Sequence, residues 1–458
     1  MKQGKISSKY IIANNNRFEG KYYLNTNSYL SMILEQAPIE KKPLENYATA
    51  FNPPVFKRQF CKKTNRSVQY FQSSDVPSAI ETSDVFVFRP QAESLNLLVK
   101  KGDILVTGFG TIGNIKVVTS LQDDTCFANN VCRIRPNKKE QTGLIYSLLA
   151  SKYGYAQLNK NASGSVVRYI EAPGIKKTLV PNFPDSFQKE VDDLIQQSAT
   201  LREQAAAKLD EAKRIVDDYC DNAFKKTDGF KYQAVKSTKI NSSYKTRIDA
   251  PFFINDGVEW TLSSTKKTVR LGDLDITSWY PGIFKRIYVQ NGYPYIKGSS
   301  LFETNPFRRC DQLSKSRTPM LDQLGLKEGM LMMSCAGICG QVKMITKEYE
   351  EKGAIGSPDI IRLISNDSLI TTEYLFVYFQ LPAVYDFLQS LKYGSVIERF
   401  DIGNIENTPI VEPSKELSAK TTELVKQYMD CTYRAFCAEE KAITMVEEEI
   451  EKWQSPTA

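Results

Sequence analysis

The run Gly108-Phe-Gly-Thr-Ile-Gly113 has the G-x-G-x-x-G spacing that can cradle a pyrophosphate at a helix N-terminus. That chemistry needs a helix next, and Asn114-Ile-Lys-Val-Val118 is a strand-like run instead. A later segment of the same pattern replaces the first glycine with Cys335. The motif therefore reads as a glycine turn between two strands. Asn52-Pro-Pro-Val55 approaches the N-P-P-aromatic motif with which adenine methyltransferases stack a flipped base, but the fourth place is valine and no nucleotide-binding βαβ unit accompanies it. Pro184-Asp185 with Glu211-Ala-Lys213 mimics a nuclease metal site. Both parts fall on one helical stretch, about 40 Å apart at 1.5 Å per residue, and cannot share an ion.

The 458 residues include no histidine, which removes the commonest general base and the commonest zinc ligand together. Nine cysteines, spaced as in Cys126/Cys132, Cys335/Cys339 and Cys431/Cys437, form no C-x-x-C pairs and read as small buried hydrophobes with reduced thiols. No metal, cofactor or catalytic residue is expected in the chain. At 41% hydrophobic and 25% charged residues it should fold as two or three ordinary globular domains. No apolar run is long enough for a membrane span, and the polar start MKQGKISSKY lacks the apolar core of a secretory signal. A cytoplasmic protein without membrane contact is expected.

The elements that carry these residues occur twice. At an offset near 230, Lys101–Thr119 (KGDILVTGFGTIGNIKVVT) recurs as Glu328–Thr346 (EGMLMMSCAGICGQVKMIT). Arg17–Tyr23 recurs as Arg247–Phe253, Phe56-Lys-Arg58 as Phe284-Lys-Arg286, and Gly164-Ser-Val-Val167 as Gly394-Ser-Val-Ile397. Each repeat begins with short β-rich runs, Asp84–Phe88, Asp103–Thr107, Asn114–Val118 and Val131–Pro136 in the first copy. Helix is expected over Gly143–Leu158 and Glu373–Leu391.

Each repeat ends in a long helix. Phe187, Val191, Leu194, Ser198, Leu201, Ala205, Lys208, Ala212, Ile215 and Tyr219 step by four and three, a coiled-coil seam. Leu417, Thr421, Leu424, Tyr428, Cys431, Ala435, Ala438, Ala442, Met445 and Glu449 repeat it imperfectly. Pro184-Asp185-Ser186 and Pro413-Ser414 are helix starts. The fold expected is α+β and tandem-duplicated: two mixed α/β lobes, related by a pseudo-two-fold, joined by two long antiparallel helices. The expected boundaries are 1–183, the first lobe; 184–224, a central helix; 225–411, a linker (Lys225–Lys245) and the second lobe; and 412–458, a C-terminal helix.

Asp185–Asp221 carries a formal charge of −5 and Glu412–Lys452 −4, leaving +16 on the remainder of a chain whose total is +7. Basic lobes suit a polyanion, and acidic helices suit a protein partner. Lysine and arginine interleave with aromatics over Phe56–Lys63 and Phe284–Tyr288. A guanidinium can fork onto guanine O6 and N7, while lysines bond phosphates. The candidate DNA-contacting residues are Lys57, Arg58, Lys62, Lys63, Ser73, Ser74, Lys116, Ser165 and Arg168 in the first copy. In the second they are Lys285, Arg286, Lys297, Ser299, Lys343, Ser395 and Arg399. On the helices, Val191, Leu194, Leu201, Ile215, Leu424, Tyr428 and Met445 are the candidate spacer and partner positions.

The K-x-G-D-I-L-h-(S/T)-x-x-G-T-I-G pattern near Val99–Ile115, its second copy and the two long helices together resemble the specificity subunit of bacterial type I restriction–modification systems. The family often starts its helices with a P-L-P-P-L-x-E-Q-like run. Pro181-Asn-Phe-Pro184 with Gln188 matches it in part, and Val411-Glu-Pro413 lacks the glutamine. The resemblance implies that each lobe is a target recognition domain for one half of a split double-stranded DNA site. It implies helices that space the half-sites and dock two adenine methyltransferase subunits, and through them restriction and translocase subunits. S-adenosylmethionine, ATP and Mg would sit on those partners. Two other readings fit parts of the chain: a self-sufficient methyltransferase–specificity enzyme, which needs a nucleotide-binding domain, and a coiled-coil scaffold that never meets DNA. If the helices act as a spacer, inserting one heptad into both should widen the unread gap of the recognised site in methylome sequencing; an unchanged gap would contradict this.

Overall fold

The computed structural model describes residues 8–13, 18, 25–163, 168–220, 224–228, 234–243, 245–249, 253, 258–262, 266–394, 398–399 and 401–453. The chain divides into two compact units, Met1–Glu203 with Arg434–Ala458, and Gln204–Tyr433. Each long helix, Asp185–Cys220 and Lys415–Lys452, thus contributes one part to each unit.

Among the described residues the first unit has ten strands: β1 (Lys41–Pro43), β2 (Ala48–Phe51), β3 (Phe60–Cys61), β4 (Ser67–Phe71), β5 (Phe86–Phe88), β6 (Ile104–Thr107), β7 (Ile115–Val117), β8 (Cys126–Phe127), β9 (Val131–Pro136) and β10 (Leu179–Pro181). They form an antiparallel sheet of order β2-β9-β6-β7, a smaller sheet β3-β5-β4-β8 in which β8 runs parallel to β4, and the pair β1-β10. The strand-like runs of the sequence fall on β5, β6, β7 and β9, and the glycine run is the turn between β6 and β7. Gly110 and Gly113 there have φ of 72° and 83°, which favours glycine. Gly108 answers a different need: a Cβ would lie 2.4 Å from the Ile170 carbonyl oxygen.

The period of two along β6 feeds two cores. Ile104 and Val106 face the helix Thr142–Ala150 and the central helix at Val191 and Ile195, while Leu105 faces Phe71, Phe127 and Val131 between the two sheets. Opposite Leu105 on that second face sits Arg133, fully buried. Among the described residues its guanidinium meets no carboxylate. It donates to the carbonyls of Ala128 (2.9 Å), Phe127 (2.7 Å), Leu97 (3.1 Å) and Val131. Burial pulls its pKa down to about 10, so it remains charged at neutral pH.

The second unit contains β11 (Phe224–Asp228), β12 (Val258–Leu262), β13 (Thr268–Arg270), β14 (Ile276–Trp279), β15 (Tyr288–Val289), β16 (Tyr293–Ile296), β17 (Asp311–Leu313), β18 (Leu331–Ser334), β19 (Val342–Met344), β20 (Ile355–Gly356), β21 (Ile360–Ser365) and β22 (Pro409–Val411). Sheets β14-β21-β18-β19 and β15-β17-β16-β20, and the pair β13-β22, reproduce the connectivity of the first unit strand for strand. Arg362 on β21 reproduces Arg133: it is fully buried and donates to the carbonyls of Ser357, Ile360 and Gly356 at 2.6–2.9 Å.

Several expectations are revised. Gly143–Leu158 is two helices, Thr142–Ala150 and Lys152–Lys160, broken at Ser151, whose hydroxyl accepts from the Gly154 N–H at 3.2 Å. Glu373–Leu391 likewise divides into Thr372–Tyr378 and Pro382–Ser390, because proline cannot donate to a continuing helix. Within the stretch read as a linker, Phe224–Asp228 is a strand paired antiparallel with β12, and Ser237–Ser242 is a short helix.

The long helices start at Asp185 and Lys415, where the Ser414 hydroxyl accepts from the Leu417 N–H. Within the first unit they pair antiparallel: the Ser198 hydroxyl donates to the Ala435 carbonyl at 2.8 Å, and Glu190 lies 3.8 Å from Lys441. In the second unit the Tyr219 hydroxyl donates to the Glu412 carbonyl, just ahead of the second helix. The buried stripe is wider than one seam. Val191, Leu201 and Leu424 are buried, Leu194, Ile215, Tyr428 and Met445 are partly buried against the same cores, and Ile195, Val216, Val425 and Val446 are buried beside them. Each helix segment packs on its own lobe as well as on the other helix. In the first unit the Asp192 carboxylate accepts from the Gly143 N–H (2.6 Å), where a Cβ on Gly143 would come within 2.5 Å of the Asp192 backbone.

Arg133→Met should cost the first unit roughly 3 kcal/mol or more, because carbonyls that had charged donors are left unpaired inside it. The checking measurement is chemical unfolding followed by probes in each unit; an unmoved transition in the first unit would contradict this role.

Candidate nucleic-acid interface

The smaller sheet of each unit gathers exposed cations and exposed apolar groups. In the first unit, buried Pro53 leads into exposed Val55, Lys57, Arg58 and Phe60, with Phe56 turned partly into the core beneath. In the second, buried Pro281 leads into exposed Ile283, Lys285, Arg286 and Tyr288, with Phe284 turned inward. Val55 and Ile283 are 89% and 91% exposed, which places two bare aliphatic side chains at the same position of two otherwise divergent repeats.

The arginines lie against tyrosines of β4 and β16. Arg58 Nε donates to the Tyr70 hydroxyl at 2.7 Å, and its guanidinium lies 5.6 Å from the centre of that ring. Arg286 lies 5.6 Å from the centre of the Tyr295 ring. Tyr70 and Tyr295 occupy equivalent sites, paired with Cys126 on β8 and Ile355 on β20. Burial raises the pKa of the Tyr70 hydroxyl, with Arg58 opposing, so it stays protonated and accepts. Phe60 packs edge-on against Tyr70.

Lys62 and Lys63 are exposed just beyond β3. Because β3 and β4 both run antiparallel to β5, they leave the sheet at the same end as Ser73 and Ser74. Ser74 is exposed, while Ser73 accepts from Asn130 at 3.3 Å. The equivalent turn after β16 carries Lys297, whose ammonium pairs with Asp311 at 2.5 Å, and exposed Ser299.

Other candidates lie elsewhere. Lys116 is turned into the first unit, where its ammonium meets the Glu81 carboxylate and the Ser78 carbonyl, each at 2.9 Å; this corrects its reading as a surface phosphate contact. Its repeat partner Lys343 reaches toward the Glu303 carbonyl (3.4 Å) and the Tyr349 ring. Arg168 donates to the Asn159 carbonyl. Arg399 is the repeat partner of Tyr169, not of Arg168: Tyr169 pairs with Phe109 and Ser163 as Arg399 pairs with Ala336 and Tyr393. Phe109 stacks on Tyr169, 5.4 Å between ring centres. Ser165 and Ser395 lie outside the described residues. Among the described residues there is no cluster of potential metal ligands, and no helix is long and apolar enough to cross a membrane.

Residues 264–433 match the type I restriction modification DNA specificity domain. The match lies within the second repeat. Among solved structures, the chain is similar to the S subunit of a type I restriction–modification system from M. genitalium, at 12% identity over 92% of this chain and 97% of that one, with a TM-score of 0.36. It is also similar to the HsdS subunit from Thermoanaerobacter tengcongensis, at 15% identity over 90% and 96%, with a TM-score of 0.28. A third similar chain comes from work on complex assembly and conformational transition of the type I R-M system, at 14% identity over 91% and 97%, with a TM-score of 0.29. No curated protein matches the chain.

The specificity domain spans the whole block Ile283–Tyr288 and its supporting Tyr295. Its counterpart in the first repeat was legible as a cation–aromatic block; the tyrosines beneath the arginines were not, since Tyr70 lies twelve residues from Arg58. Lys116→Met should lower stability by about 2 kcal/mol or more by leaving Glu81 partly buried and unpaired. Thermal unfolding of the full chain checks this, and wild-type stability would contradict the assignment.

Proposed function

We propose that the chain is the DNA sequence-specificity subunit of a type I restriction–modification complex, with each repeat reading one half of a bipartite site. The observation that carries this reading is the specificity-domain match over 264–433, together with the recurrence of its exposed Lys-Arg-aromatic block in the other repeat. Lys57, Lys62, Lys63 and Lys285 supply cations for phosphates, so binding should weaken steeply with salt. The two repeats place different side chains on equivalent strands, so the two half-sites should differ in sequence. In this reading the chemistry belongs to other chains: two adenine methyltransferase subunits with S-adenosylmethionine, docked on the acidic helices, and restriction subunits with ATP and Mg. The work is done in the cytoplasm.

Methylome sequencing of a host expressing the complex should show a split motif with two unlike halves. A single continuous motif, or none, would falsify the reading. In duplex-binding titrations of the full chain, replacing both Lys62 and Lys63 by alanine should reduce the slope of log affinity against log salt by about two. An unchanged slope would show that these lysines do not neutralise phosphates.

A further inference from the structure

Both repeats hold an arginine over a tyrosine ring, 5.6 Å from its centre, at one register of the small sheet. Resting on the reading of the chain as a DNA specificity subunit, we propose that Arg58 and Arg286 each read a guanine, one in each half-site.

The arrangement differs from that of the ion-paired cations. Lys116 faces Glu81, Lys297 faces Asp311 and Arg135 faces Asp103, so each is neutralised within the protein. Among the described residues, Arg58 and Arg286 have no carboxylate partner. In Arg58 the single Nε–H is taken by the Tyr70 hydroxyl and the ring supports the guanidinium, which leaves the two Nη groups as a fork of limited freedom. A fork held in advance loses less side-chain entropy on binding than a free arginine. Its geometry matches the O6 and N7 acceptors that guanine presents in the major groove.

A phosphate would also accept such a fork, but the neighbours favour a base edge. Val55 and Ile283, three residues before each arginine, are almost wholly exposed, and a bare aliphatic group gains nothing from a charged backbone. Against base edges it can cover a thymine methyl. Lys57 and Lys285, adjacent and exposed, are the groups placed for phosphate. Each constellation therefore contains a base-reading fork, an apolar contact and a backbone anchor within four residues of chain.

The test uses methylome sequencing of a host carrying the complete system with wild-type, Arg58→Lys or Arg286→Lys chains. It is paired with titration of the full-length chain onto cognate duplex, the same duplex with 7-deazaguanine at the guanine in question, and non-specific duplex. Arg58→Lys should relax one guanine of one half-site and leave the other half intact, and Arg286→Lys should do the reverse. Each should weaken cognate binding between about five- and 150-fold, with little change on non-specific duplex. The 7-deaza duplex should reproduce the wild-type loss and add nothing to the variant's. Tyr70→Phe should weaken discrimination at the same guanine as Arg58→Lys, in lesser degree. A loss of equal size on every duplex, which a phosphate contact would give, overturns the inference while leaving the specificity subunit in place. So does unchanged binding in both arginine variants. A wild-type chain that yields no methylation motif removes the underlying reading and this one with it.

Discussion

Each unit is organised around a guanidinium buried without a carboxylate. Arg133 and Arg362 are fully enclosed, and what satisfies them is a ring of backbone carbonyls. Burying a charge without such partners costs far more than burial of a side chain of this size can return. The carbonyls therefore have to converge, and convergence fixes where the small sheet lies on the large one. Arg133 holds the carbonyl of Phe127 on β8, β8 pairs with β4 at Tyr70, and Tyr70 holds Arg58. The second unit repeats the chain of dependence through Gly356, β20, Tyr295 and Arg286. An exposed guanidinium is thus positioned, through three contacts, by a charge in the interior.

The repeats keep this frame and exchange much of the rest. Near the large sheet, Arg135 and Asp103 form a two-bonded ion pair at 2.8 Å in the first unit, and Asp103 is buried. In the second unit the same two positions are Ile364 and Met330, packed in an apolar cluster. A paired charge and a matched apolar pair can be close in net stability, so an exchange of this kind leaves the backbone alone. The seat of the long helix changes in a similar way. Asp192 accepts from Gly143 in one unit, and Thr422 meets Thr371 at 3.0 Å in the other. Conserved geometry with exchanged chemistry is what two lobes of a common scaffold need if they are to recognise different sequences.

The long helices carry a second constraint. A helix that packs on one partner needs a narrow apolar stripe, whereas one that packs on a partner helix and on a lobe needs a broad one. The pairs Leu194/Ile195, Ile215/Val216, Leu424/Val425 and Met445/Val446 supply it, with the second member of each more fully enclosed. Near Arg202 the stripe includes charge: Glu439, itself buried, accepts from Tyr146 at 2.8 Å and pairs with Arg202.

Duplication, the strands β5, β6, β7 and β9, the glycine turns, the starts of both long helices and the cation–aromatic blocks were legible in the sequence because each depends on local spacing, on alternation of residue types or on proline and glycine stereochemistry. Tertiary structure alone decided which cations face outward. Lys116 and Lys57 are the same residue type on β-rich segments, but one meets Glu81, 35 residues away, and the other meets solvent. It also decided the broad helix stripe, the break at Ser151, the carbonyl cages of Arg133 and Arg362, and the tyrosines beneath Arg58 and Arg286. Each of these rests on contacts between residues that short-range periodicity does not link, and the free energy of burying a polar group depends on the partners that the whole fold brings to it.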